Sequence, residues 1–188
     1  KGLPDGVVAH RKYDPRGKLS TIVDRDAGTW HFEYDAAGRA VRRIEPSGLE
    51  QVLSYTPEGF LDKVEIRGAA GGPETIQYRD HDPLGQPRFI DLQSGAGAPV
   101  DTTEVTYNRL MQVVAVTYPN AEGSETMNYD AVGNRISHLD RSGTERIFEF
   151  DAADQLTSIK DFGGALVESL EYDGAGRLIL RRDENGTV

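Results

Sequence analysis

The sequence contains no cysteine, so neither disulfides nor thiolate metal ligands can contribute to its structure. No apolar run approaches the length of a membrane span, and no basic segment followed by an apolar one marks a signal peptide. Basic residues are outnumbered, with 21 Lys and Arg against 31 Asp and Glu and a net charge of −10. A nucleic-acid-binding surface is therefore not expected, because phosphate binding requires a basic patch.

Hydrophobic residues are also scarce, at 37% of the 188 residues, although 8% of the residues are aromatic. In contrast, the chain has 21 glycines and nine prolines. This composition predicts an ordered chain that turns often and has much polar surface for each buried side chain. Helices are not expected, because no window between Gly and Pro residues is long enough to sustain a stable amphipathic helix.

A short pattern of an aromatic residue, Asp and Gly recurs along the chain. Its clearest copies begin at Tyr13, Tyr34, Tyr129 and Tyr172, and each has Asp in the next position and Gly three residues after the Asp. Degenerate copies begin at Tyr55, Tyr107 and Phe150, and Tyr78 extends the series. The aromatic positions are then separated by 21, 21, 23, 29, 22, 21 and 22 residues. Such a regular series indicates a repeat protein.

The fourth copy is irregular. After Tyr78, the Asp-x-x-Gly part of the pattern comes three residues late, as Asp82-Pro83-Leu84-Gly85. We interpret this as a local insertion, and the register between Tyr78 and Asp82 stays open. The same copy contains Ser94–Pro99, which predicts a longer, flexible hairpin loop because it is rich in Gly and Pro.

Each copy carries two turn signals. In the first, Asp can accept hydrogen bonds from the backbone amides ahead of it, and Gly accepts a positive φ. The second follows about ten residues later and occurs at 26–28, 46–48, 120–123, 141–143 and 184–186. Leu3-Pro4-Asp5-Gly6 has the same position relative to Tyr13.

Segments rich in β-branched and aromatic residues separate these turns, including Leu19–Val23, Val113–Tyr118 and Ile147–Phe150. The alternation around Trp30–Tyr34 puts the three aromatic side chains on one face and His31 and Glu33 on the other. Short strands with a turn about every ten residues predict antiparallel all-β structure of roughly sixteen strands. We expect residues 1–188 to form one array of hairpins, without a second domain, that belongs to a longer repeat region.

The pattern resembles the YD repeats of the Rhs family, most clearly in Tyr34–Gly48, Tyr129–Gly143 and Tyr172–Gly186. The family includes bacterial polymorphic-toxin Rhs proteins, the C components of insecticidal toxin complexes, wall-associated YD proteins and the teneurins. The resemblance implies a long, curled sheet that forms part of a spiral β-shell. An open twisted sheet of sixteen strands is also expected on physical grounds to curl or close.

The resemblance further implies a function. In the toxin members the shell encloses a C-terminal effector domain, so we expect a structural scaffold from a secreted or cell-surface bacterial protein. Its partners would be further repeats and the enclosed domain of its own polypeptide, with secretion machinery as an additional option. The alternative is a cell-surface adhesion or carbohydrate-binding array.

No catalytic, cofactor-binding or metal-binding residue is predicted. Related Rhs proteins carry a self-cleaving Asp-Pro-x-Gly segment, but Asp82-Pro83-Leu84-Gly85 lies inside the array and precedes Gln86 rather than an apolar residue, so we expect a turn. The four histidines have no metal-ligand spacing: His10, His31, His81 and His138. Asp24–Gly28 resembles the start of a calcium loop but lacks the later ligands. The repeated tyrosines are expected to pack against neighbouring strands rather than to bind sugars.

Overall fold

The described part of the chain consists of β-strands joined by tight turns. The structure is a computed structural model that describes residues 9–68, 72–183 and 186–187. These ranges contain no helix, and therefore none that could span a membrane. The prediction of an all-β chain of tandem antiparallel hairpins is confirmed.

Seventeen strands lie in the described ranges, and the last of them has two residues. Their bounds are β1 Ala9–Tyr13, β2 Leu19–Asp24, β3 Gly28–Tyr34, β4 Ala40–Ile44, β5 Glu50–Tyr55, β6 Leu61–Arg67, β7 Glu74–His81, β8 Pro87–Ser94, β9 Val100–Tyr107, β10 Val113–Thr117, β11 Ser124–Tyr129, β12 Arg135–Leu139, β13 Glu145–Phe150, β14 Leu156–Asp161, β15 Leu166–Tyr172, β16 Leu178–Asp183 and β17 Gly186–Thr187.

The chain divides into two compact units, Lys1–Thr102 and Thr103–Val188, and the division falls within β9. In the first unit, strands β1 to β8 pair in chain order and every pair is antiparallel. In the second unit, the same consecutive antiparallel pairing runs from the second half of β9 to β17. Consecutive pairing of this kind needs only short connections, which the frequent Gly and Pro residues supply.

Most of the predicted turns are present. The second turns around Ala27, Ser47, Ala121 and Ser142 connect neighbouring strands, and Gly95–Pro99 forms the predicted loop. The turn predicted at Leu3–Gly6 lies outside the described residues, as do two of the three residues predicted for the turn at 184–186. Sequence analysis missed the turn at 161–164, where the Gly164 amide donates to the Asp161 carbonyl at 3.0 Å.

Strand alternation gives the sheet of the first unit two different faces. One face is mainly apolar and carries the repeated tyrosines; we call it the tyrosine face, and it includes Ile22, Trp30, Tyr34, Leu53, Tyr55, Val64, Ile76 and Tyr78. These side chains are only half-buried. Among all described residues, only Val105, Met127 and Ser158 are buried. Within each unit, the described strands therefore bury few side chains completely.

The opposite face of the first unit, the charged face, carries ion pairs. Six side chains of alternating charge follow one another across β3 to β6: Glu33, Arg42, Glu50, Arg67, Glu65 and Lys63. The Arg42 guanidinium lies 2.7 Å from Glu33 and 2.6 Å from Glu50. Each such pair contributes little in water, but together the six charges neutralise one another on a face that is compatible with solvent.

Candidate functional site

The repeated tyrosines connect neighbouring hairpins. We call the aromatic residue before each first turn a rung. The Tyr34 hydroxyl donates a hydrogen bond to the backbone oxygen of Leu19 at 3.0 Å, and the Tyr55 hydroxyl donates to that of Ala40 at 2.7 Å. Leu19 and Ala40 hold the same position in the repeat, because each is the sixth residue after the preceding rung. Each rung therefore reaches back to the hairpin before it.

The same contact occurs in the second unit. The Tyr129 hydroxyl donates to the backbone oxygen of Val113 at 2.9 Å, and the Tyr172 hydroxyl donates to that of Leu156 at 3.0 Å. Phe150 holds a rung position without a hydroxyl and so cannot make this bond. The expectation that these tyrosines have a structural role is consistent with their geometry.

The fourth rung is His81, and the prediction that Tyr78 continues the series was wrong. His81 directly precedes the turn at Asp82, and its Nε2 lies 2.9 Å from the backbone oxygen of Leu61, again the sixth residue after the preceding rung. Tyr78 lies inside β7 instead. Imidazole can replace phenol here because it also presents a polar ring atom to the carbonyl.

The corrected series has separations of 21, 21, 26, 26, 22, 21 and 22 residues. The two separations of 26 residues exceed the others because strands β7 and β8 have eight residues each. Asp80 has a left-handed backbone with φ of 54°, yet the pairing of β7 with β8 keeps one register from Glu74–Ser94 to His81–Pro87.

The first turn of each copy is closed by the residue that follows the rung. In the clearest case, the Asp35 amide donates to the Arg39 carbonyl at 2.9 Å and the Gly38 amide donates to the Asp35 carbonyl at 3.0 Å. The Arg39 amide in turn donates to the Asp35 carboxylate at 2.9 Å. This bond and the Arg39 guanidinium hold the pKa of Asp35 below its ordinary value. Asp or Asn in this position thus provides the acceptor that the turn needs.

Five first-turn glycines receive a side chain from the preceding hairpin. A Cβ atom at Gly38 would lie 2.6 Å from Cε of Lys18, and one at Gly85 would lie 2.5 Å from the Phe60 ring. A Cβ atom at Gly59, Gly133 or Gly176 would likewise lie close to a side chain of the preceding hairpin. These side chains are Arg39, Gln112 and Gln155. Glycine is needed here for a positive φ and also for close packing.

Cations of the preceding hairpin cover some of the rung rings. The Lys18 ammonium lies 5.3 Å from the centroid of the Tyr34 ring, and the Arg39 guanidinium lies 4.4 Å from that of Tyr55. Both distances fit cation–π contacts. These ring faces are therefore occupied from within the sheet.

Asp82-Pro83-Leu84-Gly85 forms the expected turn. The Gly85 amide donates to the Asp82 carbonyl at 2.9 Å, and the Asp82 carboxylate accepts from the Leu84 and Gln86 amides at 2.8 and 3.0 Å. The carboxylate is thus used in the same way as in the other first turns. Its lack of a catalytic role stays a prediction.

The structure places the four histidines on different strands. His81 is a rung, His138 lies in β12, and His10 and His31 lie in β1 and β3. Within the described ranges, no three His, Asp or Glu side chains are arranged to hold a metal ion. The Asp24 carboxylate accepts the amides of Asp26 and Ala27. The segment that resembles a calcium loop is thus a hydrogen-bonded turn in this structure.

Sequence analysis missed one polar cluster in the second unit. Glu125 accepts a hydrogen bond from the Tyr118 hydroxyl at 3.2 Å, and its other oxygen lies 3.1 Å from Nε2 of His138. The Arg141 guanidinium stacks over the Tyr118 ring at 4.6 Å. Burial and the nearby Glu125 raise the pKa of Tyr118. Both carboxylate oxygens already have partners, so the cluster fastens β11 to its neighbours; no sequence motif marks it.

A family model for the RHS repeat matches residues 13–50 and 129–166. Each matched segment begins at a rung tyrosine and contains a second rung, Tyr34 or Phe150. Residues 13–50 and 129–166 are thus similar to RHS repeats. Rungs and first turns described above lie within both segments.

The chain is similar to a curated protein, the double-stranded DNA deaminase toxin A of Burkholderia cenocepacia (strain H111). The two are 27% identical over 213 aligned residues, which cover 93% of this chain but only 14% of the relative. The chain thus spans about one seventh of the length of that protein.

Solved structures to which the chain is similar include crystal structures of TcdB2-TccC3-Cdc42, of TcdB2-TccC3-TEV and of TcdB2-TccC3 without its hypervariable C-terminal region. Their sequence identities to this chain are 15%, 14% and 15%, and their TM-scores are 0.43, 0.44 and 0.43. The matches cover 94%, 94% and 96% of this chain and 12%, 12% and 13% of those chains.

Close packing at the first-turn glycines predicts unequal effects of alanine substitution. Gly85→Ala should destabilise the chain more than Gly17→Ala, measured as the free energy of unfolding in urea. Both residues have a positive φ, of 87° and 78°, so both variants carry a backbone cost of about 1–2 kcal/mol. Only Gly85 also faces a ring, since no atom of the described residues lies within 4 Å of a Cβ at Gly17. Equal losses would show that the packing contact is unimportant.

The carboxylates of the first turns predict sensitivity to acid. Hydrogen bonds from the amides of Arg39 and Gln155 hold the pKa values of Asp35 and Asp151 below the ordinary 3.8. Because the folded-state pKa is lowered, these groups stabilise the fold above that value, and their contribution disappears as pH falls through the folded-state pKa. Thermal unfolding of Asp35→Asn/Asp151→Asn, followed from about pH 6 to about pH 2.5, should depend less on pH than that of the native chain.

The Asn variant keeps the acceptor oxygen, as Asn108 does in its own turn, where it accepts from the Leu110 and Gln112 amides at 2.9 and 3.0 Å. An unchanged pH dependence in the double variant would contradict the role of these two carboxylates in acid unfolding.

Proposed function

We propose that this chain is a structural segment of a hollow β-shell, and that the shell encloses an effector domain of the same secreted or delivered toxin polypeptide. The observation that carries the proposal is the uncovered tyrosine face of the first unit. The whole array, residues 1–188, acts as wall material in this proposal and performs no reaction itself.

An uncovered apolar face is unfavourable in water, at about 25 cal/mol for each Å² left exposed. Half-buried aromatic and aliphatic side chains extend across six consecutive strands, from Ile22 in β2 to Tyr78 in β7. Such a surface favours an arrangement in which it faces the interior of a shell rather than bulk solvent.

The charged face supports the same orientation. Its ion-paired run from Glu33 to Lys63 is compatible with water, and the net charge of −10 favours a soluble outer surface. The two faces therefore suit a wall with an apolar inner side and a charged outer side.

The relative supports the toxin context of the proposal. It is named a toxin, and 93% of this chain aligns with 14% of it. In the proposal, the partners of the chain are the remaining repeats and the effector domain of its polypeptide, and any catalytic chemistry belongs to that domain.

A carbohydrate-binding array is less well supported. Sugar stacking requires free aromatic faces, whereas Lys18 and Arg39 cover faces of the Tyr34 and Tyr55 rings. No observation on the described residues favours this alternative.

Cysteine labelling tests the proposal, because the native chain has no cysteine. Ile76→Cys lies on the tyrosine face, and Thr75→Cys lies on the charged face of the same strand. Each variant is made in the 188-residue chain and in the longest native polypeptide that contains it, and the rate of maleimide labelling is measured. In the long polypeptide, Ile76→Cys should react about tenfold more slowly than in the chain alone, as expected for a protected site.

Thr75→Cys is the matched control and should react at similar rates in both settings. Equal rates for Ile76→Cys in both settings, or selective protection of Thr75→Cys, would contradict the proposed shell with the tyrosine face inside.

A further inference from the structure

We propose that the cleft between the first turns of the third and fourth copies binds the guanidinium group of an arginine side chain from a partner polypeptide. These turns, at 56–59 and 82–85, both lie in the first unit. We call the contact between the first turns of two consecutive copies a joint. The inference rests on a comparison of joints within the first unit and does not depend on the proposed function.

The cleft is an open cavity of about 360 Å³. Six residues line it: Thr56, Glu58, Phe60, His81, Asp82 and Pro83. Two of them form an aromatic wall, since the Phe60 ring stacks on the His81 ring with centroids 5.7 Å apart and 27° between the planes. The Asp82 carboxylate accepts backbone amides of its own turn, whereas Glu58 holds an exposed turn position. Glu58 therefore supplies the carboxylate that a ligand would meet.

The joint between the first and second copies shows which group this place accepts. There the Arg16 guanidinium lies across the next turn and donates to the backbone oxygens of Asp35 at 2.7 Å and of Tyr34 at 3.3 Å. The Lys18 ammonium lies 5.3 Å from the centroid of the Tyr34 ring. Two cations of the first hairpin thus contact the carbonyls and the ring of the second.

Both cations are replaced at the joint that forms the cleft. Glu58 holds the position of Arg16, because each is the third residue after its rung, and Phe60 holds that of Lys18, the fifth residue. Neither a carboxylate nor a phenyl ring can donate a hydrogen bond to the next turn. Both are themselves partners of a cation. The cleft is therefore suited to receive from outside the group that the first joint supplies from within.

The backbone acceptors of the first joint have equivalents at the cleft. The two oxygens that accept the Arg16 guanidinium belong to a rung and to the residue after it. At the cleft, the same positions are held by His81 and Asp82, and both line the cavity. The Asp82 carbonyl accepts the Gly85 amide at 2.9 Å, as the equivalent carbonyl does in the second copy. A carbonyl oxygen has a second lone pair for a further donor.

The chemistry of the cleft selects a guanidinium. Hydrogen bonds from its own backbone amide and from Thr56 lower the pKa of Glu58, and the nearby His81 adds to this effect, so the carboxylate is ionised at neutral pH. A guanidinium is planar, always charged and rich in N–H donors. It can pair with Glu58, donate to the backbone oxygens and stack on the Phe60 ring at the same time. An ammonium lacks the planar face.

NMR titration tests the proposal on the isotope-labelled 188-residue chain. The probe is N-acetyl-arginine amide, which presents an arginine side chain without charged termini. We expect saturable shifts at the Gly59 and Gly85 amides, with half-saturation in the millimolar range that suits a single side chain. The neutral analogue N-acetyl-citrulline amide should bind at least about tenfold more weakly. Equal binding of the two probes, or no saturable shift, would overturn the proposal. Tighter binding of free arginine would also overturn it, since the ligand would then be the amino acid rather than a polypeptide.

Substitutions at Glu58 provide a second test. Glu58→Arg places a guanidinium where Arg16 has one, so it should abolish binding of the probe and raise the midpoint of unfolding in urea. Glu58→Gln removes the charge and should weaken binding about three- to tenfold. The control Asp26→Arg makes the same change of charge in the second turn of the first copy and should keep the native affinity. Undiminished binding by Glu58→Arg, or equal weakening by Glu58→Gln and Asp26→Arg, would contradict the proposed site.

Discussion

Hydrogen bonds from five rung side chains to a backbone carbonyl of the preceding hairpin determine how neighbouring hairpins are joined. In the first unit they link Tyr34 to Leu19 and Tyr55 to Ala40. The turn that follows each rung then lies beside the preceding turn, close enough for a side chain such as Lys18 to reach the next glycine. Because each contact involves only consecutive hairpins, stability is expected to be shared along the array, as in other repeat proteins.

The uncovered faces are the basis of the proposed function. The described strands bury almost no side chain completely. In the proposed shell, ion pairs such as Arg42–Glu50 would lie on one face of the wall and apolar rings such as Trp30 on the other. A cluster such as that around Glu125 then serves to fasten strands together.

Sequence analysis predicted most of the fold because turn chemistry and strand alternation are local signals. The aromatic-Asp-Gly pattern located the rungs correctly where the spacing was regular, as at Tyr34. The pattern gave the wrong residue at Tyr78, because His81 is the rung of that copy. A search for Tyr and Phe spacing cannot detect a histidine that makes the same hydrogen bond. The polar cluster was missed for a different reason. Strand pairing brings Tyr118 and His138 to Glu125, and no sequence motif marks either residue.

The rung hydroxyl joins neighbouring hairpins, and two conservative variants test this role. The free energy of unfolding in urea is measured for Tyr55→Phe and Tyr78→Phe. Tyr55 donates to Ala40 at 2.7 Å, whereas Tyr78 is not a rung. Tyr55→Phe should lose about 0.5–1.5 kcal/mol, as expected for one hydrogen bond, and Tyr78→Phe should be close to neutral. Equal losses, or a larger loss for Tyr78→Phe, would contradict the assignment of the rungs and the hydrogen bond that joins the hairpins.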